Sequence, residues 1–209
     1  MRTMSVFVSL LVVLTAGCSQ GGGGKAPPSA QQPEEAARNA LATLQKLVTA
    51  QNYRTMGFES VDEVKSAALG QPLALVQIGL DQLKAFRPGG NVNSLMQSSP
   101  ETIYPVTVNG QVRSSVTVSK SASGYAPSSF GNADIVKSLS RYRQSPDAFV
   151  VRVPALNLYF LGSRVENRVM LTPIVEDNRL KLQPGVPAPA EQVIEQLVPI
   201  ANAYNGLPI

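Results

Sequence analysis

The 209-residue chain has no histidine, no tryptophan and a single cysteine, and only 6% of it is aromatic. Without an imidazole, Ser-His-Asp and Cys-His catalysis, histidine ligation of metals and histidine switching near neutral pH are all excluded. One thiol leaves no second half for an intrachain disulfide or a dithiol redox pair. Charge is scarce as well: 15% of residues are Asp, Glu, Lys or Arg, with 18 basic against 14 acidic. The isoelectric point of about 9.3 therefore reflects a small surplus in a weakly charged chain, and no basic cluster suggests nucleic acid as a partner.

Several motifs are missing too. No Ser-x-x-Lys, Gly-x-Ser-x-Gly, phosphate loop or Gly-x-Gly-x-x-Gly occurs. The run Gly21–Gly24 neither follows a strand nor opens a helix, so it has no place to cradle a phosphate. The sequence thus leads us to expect neither an enzyme nor a cofactor or metal site. An enzyme built on carboxylates, Tyr, Lys or Arg alone is a distant third reading.

What is present begins at the amino end. Arg2 precedes an uncharged apolar run from Thr3 to Ala16, closed by Gly17 and Cys18. A basic start, a short apolar stretch and small residues at its end are the pattern of a secretory signal. A bilayer span needs about 20 apolar residues, and this run is shorter. Only Arg2 among the charged residues lies within residues 1–17, which leaves 17 basic and 14 acidic residues after them.

The stretch Leu14-Thr15-Ala16-Gly17-Cys18 resembles the lipobox of bacterial lipoproteins, with Thr15 where that class more often has leucine. The resemblance covers residues 1–18 and implies that the signal is cut before Cys18, whose thiol takes a diacylglyceryl group while the new amino terminus is acylated. Several acyl chains, each methylene contributing about 0.8 kcal/mol, hold a protein on a membrane where one chain would not. Ser19 follows the cysteine, and in two-membrane bacteria such proteins without Asp at that place tend to go to the outer membrane. The implied location is the cell envelope.

Residues 19–33 are Gly, Ser, Gln, Ala and Pro with one charge, a composition that predicts a disordered tether. As a flexible coil it reaches about 20 Å, or about 50 Å stretched. The expected organisation is a signal peptide (1–17), a lipidated Cys18 with its tether (18–33) and one globular domain (34–209).

Within that domain, Pro33, Glu34 and Glu35 open an amphipathic helix with Ala37, Ala40, Leu41, Leu44, Leu47 and Val48 on one face. Ser60 and Glu63 stand at capping-box spacing, predicting a short second helix that ends at Gly70. Residues 73–86 are expected as one or two strands, with a helix for part of them as the alternative. Asn109-Gly110 between β-branched runs predicts a tight hairpin, with Val106, Val108, Val112, Val116 and Val118 on one face. Residues 124–131 suggest another strand. A helix opened by Asn132 and stopped before Pro146 comes next, then strands over 148–164 and 168–183 with a turn at Asp177 and Asn178, and a final helix from near Pro189 to Gly206.

Strands in consecutive groups joined by short turns argue for an α+β fold, an antiparallel sheet packed against helices. By analogy of element order, this is the pattern of cystatin-like or NTF2-like folds. Both halves place strands after a helix, but no motif repeats at a fixed period.

Four groups of side chains are candidates for chemistry. The acid pairs Asp62/Glu63 and Glu176/Asp177 lie in a helix's first turn and in a tight turn, places that attract acids for backbone reasons. Lys137, Arg141 and Arg143 surround Tyr142 and suit a solvated helix face better than a lipid or acidic-partner contact. Leu156, Leu158, Tyr159, Phe160 and Leu161 suit a buried strand better than a ligand groove. The site left is the lipidation site, Cys18. The expected function is a membrane-anchored envelope lipoprotein with a non-catalytic protein-binding or accessory role. The alternative is a binding module for a small hydrophobic ligand.

Overall fold

The structure, a computed structural model, describes residues 32–206. The expected signal peptide, Cys18 and all but the last two tether residues lie outside the described residues.

Helix α1 (Pro33–Leu47) starts as its sequence predicts, with Pro33 in the first turn beside Glu34 and Glu35, and Lys46 in the last. It buries Ala36, Ala37, Ala40 and Leu44, and three alanines on that face let the helix backbone lie close to the sheet. A 3-10 turn (Asp62–Ser66) leads to β1 (Ala68–Leu69) and β2 (Leu73–Gln77), and α2 (Leu80–Ala85) follows. Three long strands, β3 (Gln97–Val108), β4 (Gln111–Ser121) and β5 (Gly124–Phe130), precede α3 (Ala133–Tyr142). The chain ends with β6 (Phe149–Val153), β7 (Leu158–Val165), β8 (Arg168–Pro173), β9 (Ala188–Pro189) and α4 (Ala190–Ala203).

All nine strands form one sheet in the order β5-β4-β3-β2-β6-β7-β8-β9, with β1 continuing the line of β2 along β3. Every pairing is antiparallel except β2 with β6, where Leu75 lies beside Val150 and Val76 beside Val151. The protein is therefore α+β, with two antiparallel meanders running outward in opposite directions from a parallel pair at the centre. Each meander follows a helix, α1 or α3.

The alternation of side chains along the central strands assigns the helices to faces. Leu75 and Val150 point to the face covered by α3, where they pack with Leu73, Leu139, Leu161 and Ile174. Val76 and Val151 point to the opposite face, where α2 and α4 close over Val153, Phe160, Val169 and Leu171. That same face is covered in the first meander by α1, against Tyr104, Val106, Val108, Val116 and Val118. Two helical patches thus cover one face, whereas α3 lies across the middle of the other.

The Asn109-Gly110 hairpin forms as expected, both residues taking positive φ (50° and 77°). Val112 departs from expectation and leaves the valine face. The register advances by two residues on β4 for one on β3 between Val106 and Thr107, so Arg113 is the extra residue of a bulge. In residues 73–86 the alternative is realised in part: β2 is a strand, but Gly79 then caps α2, its N–H donating to Gln82 Oε1 at 2.8 Å. The expected helix before Gly70 shrinks to the single 3-10 turn. Ser60 Oγ does accept from Glu63 N–H at 3.2 Å, but the Glu63 carboxylate turns away to other donors. No strand follows Asp177 directly: residues 174–187 form a loop that returns to the sheet only at the two-residue β9, so the expected turn is part of that loop. Asp177 and Arg179 hold each other locally, Leu180 is buried, and Pro184 and Pro187 lack the N–H a ladder needs.

Candidate functional site

The side of the sheet spanned only by α3 carries a cleft of about 470 Å³, counting the part open to solvent. Its floor is apolar, from Leu75 on β2 and Ile103 on β3, and Val136 and Leu139 of α3 wall one side. Polar groups enter from the flanking strands: Glu101 on β3, Thr117 on β4, Ser129 on β5, Arg152 on β6 and Tyr159 on β7.

Arg152 is placed by simple alternation. It stands two residues after Val150, so it shares the α3 face, between Gln77 of β2 and Tyr159 of β7 in the ladder. Its guanidinium carbon lies 5.3 Å from the Tyr159 ring centroid, a cation–π contact that holds the charged plane. Its Nε is buried with no hydrogen-bond partner, and among the described residues no carboxylate lies within 4 Å of the guanidinium. An enclosed N–H without an acceptor costs about 1–3 kcal/mol. The neighbouring strand end is polar as well, since Gln77 Nε2 donates to Ser99 Oγ at 3.5 Å.

Glu101 brings a negative charge into the same cleft. Ser128 Oγ donates to its Oε1 at 3.3 Å, and no Lys or Arg of the described residues lies within 4 Å of it. A cation and an anion therefore line one cleft without neutralising each other. Ser115, also in the lining, is committed: its Oγ donates to the Gly131 carbonyl at 2.6 Å.

The residues weighed from sequence are not brought together by the fold. Asp62 pairs in solvent with Lys65 at 2.6 Å, which lowers its pKa through that hydrogen bond and charge. Glu63 faces inward, accepting from Arg113 Nε at 2.7 Å and from Glu59 N–H at 2.6 Å. Burial pushes the Glu63 carboxyl up, but these hydrogen bonds and the Arg113 charge outweigh it and hold its pKa below the ordinary value. Asp177 accepts from Arg179 Nη2 at 2.5 Å, which lowers its pKa against a smaller effect of burial, while Glu176 is exposed. Among the described residues no group of three or more acids or Cys could hold a metal.

Of the basic residues, Arg141 is exposed and Lys137 half-buried on α3. Arg143 is a clamp: it donates to the carbonyls of Gln71, Pro72, Ser145 and Pro146, tying the end of α3 to the start of β2. Leu156, Leu158, Phe160 and Leu161 are buried as expected, and Tyr159 alone among that run reaches the cleft. Cys18 lies outside the described residues, and no described helix is long and apolar enough to cross a membrane.

Sequence reasoning passed over Arg152 and Glu101. The signal for Arg152 was there: it is the one charge inside the apolar run Phe149–Val153, at a position whose alternation places it on an inward face. Glu101 carried none, since it joins the cleft only through pairing of strands distant in sequence. Comparison with protein-family models, with curated proteins and with solved structures found no match for this chain.

Proposed function

We propose that this chain is a lipid-anchored protein of a bacterial cell envelope, fastened through Cys18, whose folded body has a non-catalytic binding or accessory role. The observation that carries the anchor is the placement of the chain's one cysteine in Leu14–Cys18, at the end of an apolar run and before a Gly/Pro/Gln-rich tether. The lack of histidine and of nucleophile motifs supports a binding rather than a chemical role. The α1-wrapped meander β3–β4–β5 is the part of the fold that supports the finer cystatin-like or NTF2-like reading.

Binding of a small ligand is favoured by one specific observation, the unpartnered buried Nε of Arg152 in the α3 cleft. That lining mixes Leu75 and Ile103 with two charges, so it suits a compact charged molecule better than a bare hydrocarbon chain.

The anchor is tested by expressing the full chain and its Cys18→Ala variant in a bacterial host. Wild-type protein is expected in the membrane fraction, with an amino-terminal mass that includes diacylglycerol and acyl groups, and the variant in the soluble fraction. Membrane recovery of the variant, or an unmodified amino end in the wild type, removes the proposal.

A further inference from the structure

The geometry points to the α3 cleft as a binding site for a small dipolar molecule, its anionic group on Arg152 and its ammonium group on Glu101. This rests on the binding reading above and names its ligand class.

Arg152 supplies the anionic end. A guanidinium pairs with a planar anion through two parallel N–H bonds, and the edge formed by Nε and a terminal nitrogen is one such fork. In Arg152 it is that Nε which is enclosed and lacks an acceptor. The Tyr159 ring beneath the guanidinium fixes its plane, so the side chain is ordered before any ligand arrives. The other buried arginine nitrogen without a partner, Arg179 Nη1, differs because its guanidinium is already paired with Asp177.

Glu101 restricts which anion enters. A free carboxylate in the same cleft repels a dianion such as phosphate and attracts a second group of positive charge. Glu101 and Arg152 are more than 4 Å apart and form no ion pair, which leaves room for a ligand to bridge them. Leu75, on the strand between those that carry Glu101 and Arg152, gives a short apolar floor for the carbons joining the two charges. The room the cleft offers a bound molecule is only about 70 Å³, well below the range of about 300–1,000 Å³ for pockets that take drug-sized ligands, so it admits the charged ends of a very small dipole while anything larger projects into solvent. The shared chemistry is an ammonium joined by a few carbons to a carboxylate or a phosphate monoanion.

The test is calorimetric titration of the full chain in non-ionic detergent with glycine, L-alanine, L-leucine and glycerophosphoethanolamine, and with acetate and methylammonium as the separate halves. At least one dipolar probe is expected to bind saturably, one per chain, and at least about ten-fold more tightly than either half. Arg152→Gln and Glu101→Gln are each expected to weaken it about ten-fold or more, and Arg152→Lys to restore only part of the loss. Preference for the amino acids assigns the carboxylate source, and preference for glycerophosphoethanolamine assigns a headgroup. Glu101→Gln, at a half-exposed position, guards against an Arg152 variant that does not fold. The inference is overturned if no dipolar probe binds, if binding survives both substitutions, or if acetate binds as tightly as the dipoles. Cys18→Ala is expected to leave the titration unchanged, so failure of the anchor and failure of the cleft are read separately.

Discussion

Arg113 Nε stands 2.7 Å from Glu63 Oε1, and the two side chains are only 16% and 12% exposed although fifty positions separate them. The bulge that makes Arg113 an extra residue on β4 aims it at the 3-10 turn and at Glu59 just before that turn, whose Oε1 accepts from Nη2 at 2.8 Å. Gly57, at φ 96°, passes so close to the Arg113 carbonyl that any Cβ there would overlap it. A sheet irregularity, a positive-φ glycine and an ion pair together fix the segment joining α1 to the sheet.

The Arg113–Glu63 pair has a pH signature. The folded Glu63 pKa lies below its ordinary value of 4.5, so its contribution is complete above that pH and is lost as pH falls through the folded value. Glu63→Gln is expected to cost about 1.5–3 kcal/mol at neutral pH, the range for a hydrogen bond to a charged group. The gap between wild type and variant should narrow steadily as pH falls below 4.5. Urea midpoints at a series of pH values measure it, and a gap that does not depend on pH refutes the assignment.

Packing on the α2/α4 side is tested at Gly162. A Cβ there would run into the ring of Phe149, its cross-strand partner. Gly162→Ala is expected to destabilise by about 1–3 kcal/mol, the usual cost of overpacking. The double variant Gly162→Ala/Phe149→Leu should show a non-additive recovery, measured as a double-mutant cycle by chemical unfolding.

Local signals explain which elements could be seen in the sequence. The β3–β4 hairpin was legible because Asn109 and Gly110 supply the two positive φ angles its turn needs, and α1 and α4 because Pro33 and Pro189 mark their starts. The β2–β6 pair was not, since 75 residues separate Leu75 from Val150 and no turn residue encodes a parallel pairing. Val112 was misplaced because a bulge shifts alternation by one without changing composition. The cleft was hidden for the same reason as the pair: Glu101 and Arg152 become neighbours only through the sheet order, and neither belongs to a local motif.

Arg143 offers a further test. Its fork reaches carbonyls of both the loop after α3 and the segment before β2, a geometry the single ammonium of lysine cannot reproduce. Arg143→Lys, although it keeps the charge, is expected to destabilise by about 1–2 kcal/mol, since carbonyls lose charge-assisted bonds. Hydrogen exchange should rise at residues 71–73 and 145–148 while the β3–β4 hairpin stays protected; uniform loss across the sheet contradicts a local clamp.

Ser114 and Ser115 are adjacent on β4, both almost fully buried, and are expected to respond in opposite directions to the same substitution. Ser114 sits opposite Val106, whose face is the α1 cluster, and its Oγ has no hydrogen-bond partner. Ser115 points to the other face and donates to the Gly131 carbonyl at 2.6 Å. Ser114→Ala removes an unsatisfied hydroxyl from an apolar setting and should stabilise by about 1 kcal/mol. Ser115→Ala deletes a made bond, although the Gly131 carbonyl keeps the Ser115 N–H at 3.0 Å, and should destabilise by about 1 kcal/mol. Denaturant midpoints at unchanged slope report both, so the sign of the difference between the two variants decides whether the alternation assigned to β4 beyond its bulge is right.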